Sequence, residues 1–214
     1  MRVYKESLTT KYLYVFVLLT LVFGFATVHS ELTLNDSNQQ KLSKTITVDK
    51  SGKSDFSTIQ SAIDSIPENN NQWIRIQVKS GVYLEQVEIP SEKPFIVLEG
   101  ESMNTTIIAW GAHDRLDRSP TFSCYADNFV ARHVSFYNTY NHPLDSTVNE
   151  NPRKQVAAAQ IRGNRNSFYE CGFYCLQDTL WDVSGLHYFK SCFIEGAVDF
   201  IFGGGQSVYR IVTY

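Results

Sequence analysis

The chain has 214 residues, 43% hydrophobic and 19% charged, which excludes a disordered polymer poor in apolar groups. A net charge of −3 excludes a broad basic field for nucleic acid. Four cysteines are too few for a disulfide scaffold, and the length fits one domain with at most a small appendage.

Residues 1–30 read as a secretory signal peptide. Arg2, Lys5 and Lys11 outnumber Glu6 before the uncharged run Tyr12–Val28, and Val28-His29-Ser30 offers a cleavage site ahead of Glu31. The apolar run is slightly long, so an uncleaved membrane anchor is the rival reading. Removal of this net +2 segment leaves a mature chain near −5. Secretion places the cysteines in an oxidising compartment and makes the Asn-x-Ser/Thr sites at Asn35 and Asn104 usable.

Residues 31–44 form a polar, exposed leader, and ordered structure is expected to start with the strand Thr45-Ile46-Thr47-Val48. Ser54-Asp55 is expected to cap a helix with Phe56, Ile59, Ile63 and Ile66 on one face, ended by Pro67. From Trp73 onward the pattern is short strands. Phe95 and Val97 follow Ile74 and Ile76 by 21 residues, and Cys192-Phe-Ile194 follows Cys171-Gly-Phe173 by the same interval. Val212-Thr-Tyr214 continues 20 residues later. Val134-Ser-Phe136 precedes Cys171 by 37, and the polar stretch Thr139–Lys154 accounts for the excess as a long loop. A period near 21 with almost no helix predicts a β-solenoid, in which stacked turns bury a common inner face.

In a solenoid, residues one period apart lie on adjacent rungs, about 4.8 Å from each other. Asp178 and Asp199 differ by 21 and Gln155 and Gln177 by 22, so these residues are expected to form one column. Two carboxylates so close titrate apart, which leaves one acid and one nucleophile or base near neutral pH. Neutral amides beside them suit an oxyanion growing on a carbonyl. The pattern fits acyl transfer with an aspartate nucleophile. A plain ladder of stacked polar residues is the structural alternative, but stacked like charges cost stability without a function.

Other chemistries lack their signatures. There is no Gly-x-Ser-x-Gly elbow. His113, His133, His142 and His187 show no metal-ligand spacing, and Cys171 with Cys175 lacks a second pair. No metal or cofactor is expected. Cys171 and Cys192, one period apart, leave two readings open, stacked core thiols or a disulfide. Gly203-Gly204-Gly205 lacks the Lys-Ser/Thr of a phosphate loop and reads as a tight turn.

These residues also carry a resemblance. Gly81-Val-Tyr83-Leu-Glu85, Gln155-Val-Ala-Ala-Ala159 (only part of its pattern kept), Gln177-Asp-Thr-Leu180 and Asp199-Phe-Ile-Phe-Gly203 resemble motifs of the pectin methylesterases, the last two also in order and 21-residue separation, and the resemblance runs from about Thr45 to Val208. The resemblance implies an all-β fold, a right-handed parallel β-helix with a short N-terminal capping helix, over a partial domain at 45–214. It implies hydrolysis of galacturonate methyl esters in cell-wall pectin without a cofactor. Asp199 would be the nucleophile, Asp178 the proton donor and then base, and Gln177 the oxyanion stabiliser. Gln155 would contact substrate, as would Thr121, whose Ser-Pro-Thr-Phe segment is similar to a substrate-touching stretch. Tyr174, Trp181, Phe200 and Phe202 are candidates to wall the cleft and stack on sugar faces, with ordinary core packing as the favoured reading for each. The implied partner is methyl-esterified homogalacturonan. No nucleic acid or stable membrane association follows, and a complete chain would be monomeric and extracellular.

The family's downstream Leu-Gly-Arg-Pro-Trp motif, whose Arg holds the nucleophilic Asp, has no counterpart before the chain stops at Tyr214. The sequence is therefore expected to be incomplete at its C-terminus, with little or no turnover as written. Two alternatives stay in play: a glycoside hydrolase or lyase on the same polymer, and a non-catalytic pectin-binding remnant.

Overall fold

A computed structural model describes residues 42–140 and 154–213 of the chain. The expected signal peptide, most of the leader with Asn35, and most of the Thr139–Lys154 loop lie outside the described residues. Strand β1 (Leu42–Val48) begins three residues before the expected start, and helix α1 (Ile59–Asp64) follows it. Strands then come in threes. The rungs are β2 (Trp73–Val78), β3 (Gly81–Leu84), β4 (Val87–Ile89); β5 (Ile96–Gly100), β6 (Thr106–Trp110), β7 (Phe122–Cys124); and β8 (Phe129–Arg132), β9 (Ser135–Asn138), β10 (Ala159–Ile161). Two more follow, β11 (Asn166–Tyr169), β12 (Gly172–Tyr174), β13 (Leu180–Asp182), then β14 (Leu186–Lys190), β15 (Phe193–Glu195), β16 (Ile201–Phe202), before β17 (Gln206–Arg210) opens a sixth.

Each strand pairs in parallel with its counterpart one rung away. Three sheets result, β1-β2-β5-β8-β11-β14-β17, β3-β6-β9-β12-β15 and β4-β7-β10-β13-β16. This is a parallel β-helix, as the periodicity predicts. The chain bends between sheets through single left-handed residues. His133, Glu170, Ser191 and Ile211 occupy one such bend on successive rungs, with φ of 55°, 51°, 55° and 53°. Left-handed backbone is uncommon outside glycine, and its repetition at one corner shows that the stacked ladder dictates it.

The inner face is a set of columns. Ile46, Ile76, Leu98, Ala131, Phe168, Phe189 and Tyr209 lie above one another in the first sheet. Phe168 and Phe189 stack at 4.9 Å between ring centroids, Phe189 and Tyr209 at 4.7 Å. Tyr83, Ile108, Phe136, Phe173 and Ile194 form the second sheet's column. Each fully buried Phe or Ile contributes about 1.5–3 kcal/mol of hydrophobic stabilisation.

Three sequence expectations need correction. Ile74 pairs with Ile96 and Ile76 with Leu98, so this step is 22 residues and not 21, and Phe95 (φ 62°) takes the left-handed bend that Asn128 and Arg165 take before β8 and β11. Helix α1 is capped by Thr58, whose side chain accepts from Ser61 N, and not by Ser54-Asp55. Asp55 instead accepts from the backbone N and Oγ1 of Thr47, both at 2.8 Å, and Phe56 bridges to Val48 as strand. The helix buries Ile59, Ala62 and Ile63 and packs on β1, β2 and β4. Among the described residues no helix is long and apolar enough to cross a membrane.

Candidate active site

The bend between the second and third sheets carries the candidate carboxylates. Asp178 (φ 63°) precedes β13 and Asp199 (φ 46°) precedes β16. Aspartate tolerates this backbone better than most residues. Gln177 bridges Val198 in parallel, Asp178 N donates to Val198 O at 3.0 Å, and Leu180 pairs with Ile201. Asp178 and Asp199 therefore stand on neighbouring rungs, as their 21-residue spacing predicts.

Their surroundings differ. Asp178 is 2% exposed, and its Oδ1 is buried without a hydrogen-bond partner among the described residues. Burial holds its carboxyl above the usual range, the nearby Asp199 charge pushes the same way, and the Gln177 amide pulls against both. Asp199 is exposed on the rung beyond. One carboxyl holds a proton more tightly than usual, and the other faces solvent.

The remaining predicted residues fall at different depths. Gln177 is half-buried beside Asp178. Gln155 is exposed, just before the buried run Val156–Ala159. The strand register sets Ala159 opposite Leu180, a step of 21, so Gln155 falls one residue short of Gln177 along the column. Thr121 is fully buried, and its hydroxyl donates to the Tyr137 carbonyl at 2.8 Å. It closes an 11-residue connection, 111–121, between β6 and β7 that strand spacing did not reveal. Buried Asn138 holds that connection, donating through Nδ2 to the carbonyls of Ala112 and Ser119, and of Ala157.

On the outer face of the third sheet, Trp181 and Phe202 stack at 5.6 Å with planes 12° apart, and the Arg162 guanidinium lies over Trp181 at 5.3 Å. Tyr137 and Tyr174 stack at 4.0 Å on the second sheet. Phe200 packs partly buried against the core. All four cysteines are free and buried, which settles Cys171 and Cys192 as stacked core thiols. Gly203 (φ 124°) and Gly205 make the tight turn expected, because a Cβ on Gly205 would lie 1.9 Å from Asp182 Oδ1. Among the described residues no group of His, Cys, Asp and Glu could hold a metal ion.

Sequence reading missed Asp182. The column Ile89, Cys124, Ile161 is apolar and inward, and Asp182 is its next member. Its only signal in the sequence is a carboxylate at a position where strand alternation calls for an apolar residue.

Residues 45–213 match the family model described as Pectinesterase. The sequence is 52% identical to "Probable pectinesterase 29" of Arabidopsis thaliana over 76% of this chain and 49% of that protein. The fold is similar to a pectin methylesterase from carrot, with TM-score 0.70 and 30% identity over 77% of this chain and 50% of the other. It is also similar to a pectin methylesterase solved in complex with hexasaccharide VII, with TM-score 0.67 and 30% identity over 77% and 53% of the two chains. The chain spans about half the length of the curated relatives it matches.

Proposed function

Because this chain belongs to the pectinesterase family, a family of carboxylic-ester hydrolases, we propose that its paired aspartates are built to hydrolyse galacturonate methyl esters. The observation that carries this reading is the contrast between buried Asp178 and exposed Asp199 on adjacent rungs.

The exposed carboxylate of Asp199 attacks the ester carbonyl carbon. The oxyanion that forms takes a hydrogen bond from the Gln177 amide. Asp178, protonated in its buried setting, gives its proton to the departing methoxide, and methanol leaves an acyl-enzyme. The Asp178 carboxylate then takes a proton from water, whose oxygen attacks the acyl carbon. The bond between the acyl carbon and Asp199 breaks, the galacturonic acid formed loses its proton to solvent, and Asp178 is protonated again. Gln155 contacts substrate from the exposed segment before β10. Thr121, expected to contact substrate, is fully buried with its hydroxyl on the Tyr137 carbonyl, so its part is to hold the connection before β7 and not to touch the sugar. The stacked faces of Trp181 and Phe202 suit sugar rings, and Arg162 beside them suits a uronate carboxylate.

The same reading covers the rest of the chain. Residues 1–30 are a signal peptide and 31–41 a leader, and the β-helix domain starts with β1 at Leu42, inside the leader expected over 31–44. The protein is secreted to the cell wall, and Asn104, exposed on the turn after β5, is open to a glycan. Its partner is methyl-esterified homogalacturonan.

The test is methanol release from methylated pectin by the chain from Glu31 onward, compared with Asp199→Asn. Release that falls to the blank in the variant supports the reading, and release unchanged by it overturns the reading. New reducing ends in place of methanol assign a glycoside hydrolase or lyase. Pectin binding with neither product assigns a non-catalytic role.

A further inference from the structure

Thr179 follows Asp178 directly and is fully buried. Its hydroxyl lies 2.8 Å from the Glu195 carbonyl oxygen and 3.3 Å from that of Cys175. Cys175 opens the bend that carries Asp178. Glu195 ends β15 on the next rung and leads into the bend that carries Asp199. A hydroxyl has one proton to give, and the shorter contact marks the Glu195 carbonyl as its main acceptor. The hydrogen bond therefore leaves one aspartate bend and lands at the foot of the other.

The backbone of the two bends is in contact at the same place. Ala197 N donates to Leu176 O at 2.7 Å, and Asp178 N to Val198 O at 3.0 Å. On the other side the Thr179 carbonyl accepts from Ala158 N at 2.9 Å and Ala159 N at 3.2 Å, which ties it to the rung below. The close approach requires a glycine. A Cβ on Gly196 would fall 2.5 Å from Thr179 Oγ1 and 2.4 Å from Phe200 Cβ. Thr121 stands in the same column, since Phe122, Ala159 and Leu180 are in register. Its hydroxyl makes the same upward bond, to the Tyr137 carbonyl, and Tyr137 is in column with Tyr174 and Glu195. The rung between them carries Ala158 at this position and has no hydroxyl to give. The clasp is thus placed by the side chain of a given rung and is not imposed by the solenoid.

We propose that Thr179 is a positioning residue: its hydroxyl fastens the bend of Asp178 to the bend of Asp199 and so fixes the distance between their carboxyl groups. This rests on the reading of those aspartates as the reacting pair. Asp178 Oδ1 is buried without a hydrogen-bond partner among the described residues, so the backbone bend does much of the work of placing this carboxyl.

Carboxyl-carbon NMR of the chain from Glu31 onward tests this without turnover. The Asp199 charge adds to burial in raising the proton affinity of Asp178. Asp199→Asn should therefore lower the pH at which the Asp178 carboxyl titrates, and the size of that displacement reports how close the two groups stand. In Thr179→Val, which keeps the branched shape and loses the donor, the displacement should shrink by about half or more. In Thr179→Ser, which keeps the hydroxyl, it should have the parent's size. Amide exchange at Asp178 and Ala197 should quicken about tenfold in Thr179→Val, with Phe168 and Phe189 in the first sheet unchanged. If Thr179→Val does not fold, the parent chain decides: the Thr179 hydroxyl proton should be visible, held out of exchange with water and close to the Gly196 α-protons. An undiminished displacement in Thr179→Val, a serine variant that behaves like the valine one, or a freely exchanging hydroxyl would overturn the proposal. Methanol release that survives Asp199→Asn would sink the nucleophile assignment instead and leave these NMR outcomes unchanged.

Discussion

Glu85 closes the N-terminus of helix α1: its Oε1 accepts from Ile59 N and its Oε2 from Gln60 N, each at 2.9 Å. Glu85 lies 26 residues from Ile59 and 25 from Gln60, and the contact ties the helical cap to the first full rung. Tyr83, two residues earlier, is buried in the core with its hydroxyl on the Lys79 carbonyl at 2.9 Å. The Gly81-x-Tyr83-x-Glu85 segment is thus an architectural element, one side chain inside the solenoid and the next over its end. Glu85→Ala strips two free helix N–H groups of their acceptor. The expected loss is about 2 kcal/mol, read from the urea midpoint at unchanged m-value.

The buried Asp178 carboxyl makes a pH prediction with a definite sign. Burial and Asp199 raise its folded-state affinity for a proton above that of the unfolded chain. The folded state therefore binds more protons between the ordinary carboxylate range and the raised value, and stability falls as pH rises through that window. Asp178→Asn removes the charge that burial disfavours. The variant is expected to melt higher than the parent at pH 7, with the difference closing by pH 4. A scanning calorimetry series across that range decides it, and equal melting temperatures at pH 7 would count against a strained carboxylate.

How much of this was legible in sequence depended on what each residue answers to. Phe173 over Phe136 and Ile194 over Phe173 followed from spacing, because apolar columns repeat with the rung and nothing competes with them. The step from Ile74 to Ile96 did not, since Phe95 and Ile96 are both apolar and spacing alone does not say which of them stands over Ile74. The helix cap moved from Ser54-Asp55 to Thr58 because Asp55 found a tertiary partner in Thr47, and a local capping rule cannot anticipate it. The Asp178–Asp199 pair was readable because both sit at the same bend of successive rungs. Asp182 was unreadable because its meaning depends on His187, Ser207 and Tyr209, which only the folded stack brings to one corner.

Gly163 follows strand β10, where the chain passes close over the rung below. An added Cβ would sit 1.7 Å from the Ala126 carbonyl oxygen and 2.4 Å from its carbon. Both are backbone atoms, so no side-chain rotation relieves the overlap. Ala126 O also accepts from Asn166 Nδ2 at 3.2 Å, so moving it disturbs a second buried bond. Gly163→Ala is expected to cost more than about 3 kcal/mol, at the upper end of single-residue effects. Its readout is the soluble folded fraction and the denaturation midpoint. A variant within 1 kcal/mol of the parent would show that the rungs can part here.

The cysteines give a chemical readout of the solenoid interior. Cys171 and Cys192 stand one above the other, since Gly172 pairs with Phe193, and Phe193 N donates to Cys171 O at 2.9 Å. Cys124 and Cys175 are also fully buried, and burial pushes the Cys175 thiol up to about 11. Thiols so placed are out of reach of reagent, and at Cys175 burial also disfavours the thiolate, which is the reactive form. The native protein is therefore expected to take up no alkylating reagent at pH 7 over hours. In guanidinium without reductant it should take up four equivalents, counted by mass spectrometry. Two equivalents after unfolding would mean that one pair is oxidised, and rapid labelling of the native chain would mean that the rungs open far more readily than their packing implies.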